Sequence, residues 1–414
     1  MGQPTIDVEQ DLSERVGFVR PAAEGAPDSL VAQFSRLLVT NDSQFDHPIV
    51  SGPMRVSWAH GSTAQFGPHP HDPSGPVIDT RPALPEPRGA LSASVIEALA
   101  GPPGSLHAPP VLVASPLADE DLQLALYLCY ELHYQSFEGV ADEWEWDPEL
   151  IRLRTELESA CRGALVSLVP RRDAAPTEIA DLLFALSEDE AGPSLSTYLA
   201  RSGTPEQFQE FVTHRSAYQL KEADPHTWAI PRLRGRAKAA MVEIQADEYG
   251  SGKPDRVHSM LFAKTMVELG LDASYGAYLD RIPGRTLATV NLITLFGLHR
   301  ELRGALVGHL AMFEITSPVP NRRYASALRR FGASGDAIDF FDEHVEADSV
   351  HEQVAARDLA QGLAVAQPEL AADIVWGAEC LLMLEARWGE SLLGCWASHR
   401  SSLREPAGAA LSAA

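Results

Sequence analysis

Within FDEHVEADSVHEQVAARDLA, residues 341–360, two imidazoles and a carboxylate recur at helical spacing: His344, Asp348 and His351 stand at i, i+4 and i+7. At 3.6 residues per turn all three share one stripe of a helix. Glu343, Glu346 and Glu352 fall off that stripe, which Val345, Ala347 and Val350 flank. A row of this kind faces water, a core in which it is hydrogen-bonded, or a metal ion, because imidazole and carboxylate are both ligands of first-row metals.

Four more residues carry similar chemistry at places where a buried carboxylate is costly unless it is paired or bound to a metal. Glu222 closes SAYQLKEADP just before Asp224 and Pro225 stop the helix, and Glu248 closes VEIQADEYGSG just before the Gly250 and Gly252 turn. His258 opens the next helix at DRVHSMLF, and Glu314 ends VGHLAMFEITS. Singly, each is an ordinary helix-end residue. Together with the stripe they supply four carboxylates and three imidazoles. That is the inventory of a di-iron or di-manganese site, where carboxylates offset the metal charge and imidazoles complete the coordination. A ferritin-like bundle would carry two Glu-x-x-His motifs; the single Asp-x-x-His of Asp348 and His351 disfavours it.

The elements that must position these residues are helices. Apolar residues recur at helical spacing from LADEDLQLALYLCYELHYQSFEGV onward, with Asp119 or Asp121 as a cap, and Asp147 before Pro148 marks another start. No alternating strand pattern persists after residue 115, so the chain is expected to be predominantly α, as a helical bundle. Residues 1–112 are rich in Pro, Gly, Ser and His and are expected to form an irregular extension, whose His60, His69 and His71 have no fixed geometry for a metal. An N-terminal helical region over 113–189, a core over 190–402 and a flexible tail over 403–414 complete the expected layout.

Composition narrows the partners. A chain of 414 residues with 45% hydrophobic residues can build a substantial core. A formal charge of −24 argues against gripping nucleic acid. The N-terminal residues lack an apolar signal and no apolar run approaches the ~20 residues of a membrane span, so a cytoplasmic protein is expected. The scattered Cys129, Cys161, Cys380 and Cys395 suggest reduced, mostly interior thiols rather than a disulfide framework.

The order and spacing of the seven ligand candidates resemble those of the haem-oxygenase-like di-iron oxidases and oxygenases, the bacterial iron-containing redox enzymes. In that family one core helix gives a Glu, a second a Glu followed ten residues later by a His, a third a Glu, and the last a His-x3-Asp-x2-His. The matching positions are Glu222, then Glu248 and His258, then Glu314, then His344, Asp348 and His351. The resemblance spans residues 190–400. It implies an all-α haem-oxygenase-like bundle holding two Fe(II) per chain and using O2 as co-substrate. The implied activity is a non-haem di-iron oxidase or oxygenase, working through a peroxo-type intermediate on a small metabolite. An amino acid or amine is the favoured class, and a homodimer is an open assembly. It also implies that the helix ends carrying Glu222 and Glu248 are labile until metal binds.

Three rivals share parts of this pattern. A haem-binding or cofactorless oxidase of the same fold would leave the carboxylates unexplained, since haem asks for one axial imidazole in an apolar crevice. A thiaminase-like hydrolase would need a nucleophilic Cys in a core helix. A non-enzymatic acidic interaction protein would use the seven residues structurally. Among other polar residues, Glu131 and His133 lie on different helical faces and suit packing and hydrogen bonding, and His309, five residues before Glu314, falls away from the metal-facing stripe, with orienting a ligand as the alternative. Arg215, Tyr218, Asn291 and Arg303 are candidates for substrate contact.

Overall fold

In the computed structural model residues 81–188, 194–333 and 335–405 are described, with the side chains of 346–350 outside that description. The expected histidines His60, His69 and His71, most of the extension and the end of the tail therefore lie outside the described residues. Helices are the regular structure of the described residues, with no β-strand among them, which gives the all-α fold expected from sequence. No helix among them is long and apolar enough to cross a membrane.

The first helix corrects an expectation. Residues 1–112 were to be irregular, yet α1, Ala90–Leu99, lies inside that stretch. Its Leu91, Val95, Ala98 and Leu99 are buried against α2, Glu120–Glu131. Asp119 caps α2 by accepting from Leu122 N, as read from sequence, whereas Asp121 serves α1. Its carboxylate accepts from Leu91 N at 2.8 Å, Ser92 N at 2.7 Å and Ser92 Oγ at 2.6 Å, satisfying the open end of a helix two elements away in chain order. Asp121→Ala should therefore lower the unfolding free energy by about 1–2 kcal/mol, the usual worth of such a cap. A urea midpoint equal to that of the parent protein would show that α1 docks without it.

The remaining helices are α3, Pro148–Leu168; α4, Ile179–Glu188; α5, Leu195–Arg201; α6, Pro205–Gln219; α7, Asp224–Thr227; and α8, Gly235–Glu248. They are followed by α9, His258–Glu268; α10, Gly284–Leu298; α11, Arg303–Thr316; α12, Pro318–Arg330; α13, Asp336–Gln353; α14, Gly362–Ala366; and α15, Ala371–Ala397. A π-helical segment, Val354–Gln361, joins α13 to α14. Such segments are rare and concentrate at functional sites.

The centre of the bundle is the crossing of α11 and α15, where two glycines let the backbones touch. A Cβ at Gly308 would run into the Ile374 carbonyl, and one at Gly377 into the Ala305 carbonyl. Around that crossing Leu306, Leu310, Met312, Val375, Trp376 and Leu381 are buried, each removing apolar surface worth about 1.5–3 kcal/mol. The helices before residue 189 join the same core. Asn291 Nδ2 donates to Gln123 O and Oε1 at 3.0 and 2.8 Å, and Trp376 Nε1 donates to Val169 O at 2.8 Å. A second apolar cluster, Phe208, Phe211, Phe262, Tyr324, Phe340, Phe341 and Trp388, packs α6, α9, α12, α13 and α15 together.

Candidate metal centre

Glu222, Glu248 and His258 sit where the local sequence ends or starts a helix. Helix α6 starts at a Thr204–Gln207 capping box and runs to Gln219, and Glu222 follows in a turn whose next residue, Ala223, has φ 76°. That left-handed conformation costs a non-glycine residue about 1–2 kcal/mol, so strain is stored beside Glu222. Lys221, buried and bonded to Glu131 at 2.7 Å, anchors the turn on one side, and Gln245 Nε2 holds the Ala223 carbonyl at 2.9 Å on the other. Glu248 is the last residue of α8. The Gly250 turn, at φ 67°, folds the chain back so that His258 opens α9 beside it. Glu314 is carried by α11, and His344 and His351 by α13.

These residues converge. One atom each from Glu222, Glu248, His258 and His344 lies within 4.8 Å of the others, and Glu248, Glu314 and His351 form a second such group. Glu248 belongs to both. All six are buried, at 2–6% exposure. His258 Nδ1 is 2.8 Å from Glu248 Oε2, His344 Nε2 is 3.6 Å from Glu222 Oε1, and His351 Nδ1 is 3.5 Å from Glu314 Oε2. The seventh candidate, Asp348, shares the backbone of α13, but its side chain lies outside the described residues.

Two of the imidazoles have their tautomers fixed from behind. His344 Nδ1 faces the Phe340 carbonyl at 2.7 Å, which can only accept, so the neutral ring keeps its lone pair on Nε2, the nitrogen turned to Glu222. His351 Nε2 faces Asp247 Oδ2 at 3.1 Å, so once the ring gives up its proton to become a ligand its lone pair belongs on Nδ1, toward Glu314. A carboxylate or carbonyl behind an imidazole is the usual support of a metal-ligating histidine. Asp247 was missed in the sequence. Its only signal is that it adjoins Glu248, and a neighbour on a helix points about 100° away.

Burial sets the electrostatics. The Glu248 carboxyl is pushed up to about 8 by burial and then by the charge of Glu314, and Glu222 is raised mainly by burial. His258 is lowered to about 4 by burial and by His344. Burial alone would lower His351 too, but Glu314 and Asp247 outweigh it and raise the ring to about 9. For Asp247 burial acts upward, yet the hydrogen bonds from His351 and Ser251 hold it below the usual range. Glu222 Oε2 is buried without a hydrogen-bond partner, and His258 Nδ1, though close to Glu248, is not aligned to bond it. The donor set of these buried carboxylates and imidazoles suits iron or another first-row dication, whose charge would offset the cost of burying the carboxylates.

Two spaces adjoin the cluster. A cavity of about 10 Å³, room for one water, is walled by Tyr218, Glu222, His226, Glu248, Glu314 and His344. Tyr218 is raised far above its ordinary value by burial and by Glu222, so it faces the carboxylates as a neutral phenol. A larger cavity of about 240 Å³ reaches His344 from the aromatic cluster and includes Arg215 and Glu385.

Other expected residues fall elsewhere. Asn291 ties α10 to α2, and Arg303 donates to Arg300 O and Gln367 Oε1. His309 Nδ1 lies 3.1 Å from His226 Nε2, away from the ligand atoms. Glu131 pairs with Lys221, and His133 sits between Glu145 and Arg154. The four cysteines are free, Cys129, Cys161 and Cys380 being buried.

A helical bundle that gathers carboxylates and imidazoles from the ends of α6, α8 and α11 and from one face of α13 defines a class. Residues 209–386 match the iron-containing redox enzyme family, and the range holds all seven ligand candidates. The resemblance drawn from their spacing therefore extends over this segment. The chain is similar to nitrosourea synthase of Streptomyces achromogenes subsp. streptozoticus, at 29% identity over 163 residues. That similarity covers 39% of this chain and about a third, 34%, of the relative.

Proposed function

We propose that the protein is a non-haem di-iron oxidoreductase that uses O2 to oxidise or oxygenate a small metabolite. One Fe(II) would be held by Glu222, Glu248, His258 and His344, the other by Glu248, Glu314 and His351, with Asp348 added from its place on the same stripe. The observation carrying this reading is the sharing of Glu248 between two buried ligand groups. A mononuclear or purely structural cluster has no need of it. The bound irons would supply electrons and an O2-binding centre. Around them His344 and His351 are held in the ligating tautomer by Phe340 O and Asp247, and Tyr218 keeps a proton beside Glu222. The similarity to a nitrosourea synthase supports a nitrogen-containing metabolite, in keeping with an amino acid or amine.

Anaerobic titration of the full-length protein should reach about two Fe(II) per chain, with metal stabilising the fold through linkage. O2 uptake should follow the iron content. No more than one tightly held ion at excess iron, with no iron-dependent O2 uptake, would replace the dinuclear assignment with a mononuclear or structural one.

A further inference from the structure

Resting on that reading, we infer that Arg215 and Glu385 are the specificity-determining pair of the 240 Å³ cavity, and that its substrate is an amino acid zwitterion with an apolar side chain. Arg215 NH1 and NH2 donate to the two Glu385 oxygens at 2.9 and 2.6 Å, and the guanidinium lies 4.0 Å over the Trp388 ring, which fixes its plane. The fork uses two of the five guanidinium N–H groups and one lone pair on each carboxylate oxygen. What remains is a donor set beside an acceptor set.

A ligand meeting both must carry a carboxylate and an ammonium together. Because the pair is net neutral and sits among aromatic side chains, it also favours a net-neutral head, since burying an uncompensated charge is costly. Gln219 adds a second acceptor on the same wall: its Oε1 is buried and has no hydrogen-bond partner.

The rest of the cavity selects the body of the molecule. Phe211, Phe262, Phe313, Tyr324, Phe340 and Phe341 wall it, and Phe340 leads to His344, their rings 4.3 Å apart. At about 240 Å³ the cavity is far roomier than the 10 Å³ space beside the carboxylates and admits a small metabolite. A cationic side chain such as a guanidinium would find aromatic faces already packed on one another, as in the Phe211–Tyr324 pair at 4.5 Å and the Phe262–Phe340 pair at 5.0 Å. An apolar side chain, with the head held at Arg215 and Glu385, directs its carbon skeleton toward the metal-ligating His344.

The test is calorimetric binding to the full-length protein, metal-free and anaerobically Fe(II)-loaded, with four probes: L-phenylalanine, 3-phenylpropanoate, 2-phenylethylamine and L-arginine. L-phenylalanine should bind at least about tenfold more tightly than each of the others, tenfold being 1.4 kcal/mol. In Glu385→Gln the advantage over 3-phenylpropanoate should shrink toward one. The probe ranking on the unaltered protein decides the matter even if that variant folds poorly. Equal binding of 3-phenylpropanoate or 2-phenylethylamine, a preference for L-arginine, or no binding of L-phenylalanine at millimolar concentration would overturn the assignment. Because binding is read without iron as well, failure here is distinguishable from failure of the di-iron reading, which shows only in the iron titration.

Discussion

Glu248→Gln should leave the protein unable to hold either iron tightly, while His258→Ala should still hold one. The asymmetry follows from position: Glu248 belongs to both ligand groups, and His258 to one. Loss of groups that merely support a ligand already lowers metal affinity about 10–100-fold, so loss of a shared ligand should do at least that at each ion. The same variant should become more stable without metal. The wild-type Glu248 carboxyl, at about 8 in the folded protein against the ordinary 4.5, makes folded protein bind more protons than unfolded between those values. Stability from this group is full below pH 4.5 and falls by about 1.4 kcal/mol per unit as pH rises toward 8. His351, raised from 6.5 to about 9, adds a loss of the same sign between those values. Metal-free wild type should therefore lose urea resistance from pH 5 to 8, and Glu248→Gln should lose markedly less. Parallel curves for the two proteins would contradict the buried-carboxylate account, and two tightly held irons in the variant would contradict the sharing.

What was legible in the sequence depended on whether a local rule applied. The His344–His351 stripe follows from helical period alone, and Glu222 and Glu248 stood out because Pro225 and Gly250 end their helices within a few residues. Helix α1 carries Leu91, Val95, Ala98 and Leu99 at helical spacing, but PALPEPRG before it and GPPG after it masked ten residues of periodicity. The Asp121 cap could not be read, since it crosses from one helix to the start of another. Nor could the aromatic cavity, whose walls come from α6, α9, α11, α12, α13 and α15. Nothing in VAARDLAQ announces a π-helix in place of another α-turn, and the pairing of Arg215 with Glu385 spans 170 residues.

The strongest link between the early helices and the metal centre is also the most exposed to mutation. Glu131→Ala should lower the unfolding free energy by about 3–5 kcal/mol, because it strands the Lys221 ammonium, only 2% exposed, without a counter-charge. Glu131 meets Lys221 Nζ at 2.7 Å through one oxygen and accepts from Tyr275 OH at 2.7 Å through the other. The ammonium lies 4.9 and 4.4 Å from the Tyr127 and Tyr134 rings, which cannot replace a carboxylate. Replacing both charges, as Glu131→Met with Lys221→Met, should recover most of the loss, since well-packed apolar pairs commonly match buried ion pairs in stability. Iron affinity should not recover with it. Lys221 is covalently next to Glu222 and braces the strained Ala223 turn, so the double variant should still bind iron about tenfold more weakly, as when a supporting group is lost. Urea unfolding together with anaerobic iron titration reads both quantities. A double variant that regains wild-type stability and wild-type iron affinity would confine the pair to packing, and a Glu131→Ala protein within about 1 kcal/mol of wild type would show that the ammonium finds water or another partner when its carboxylate is gone.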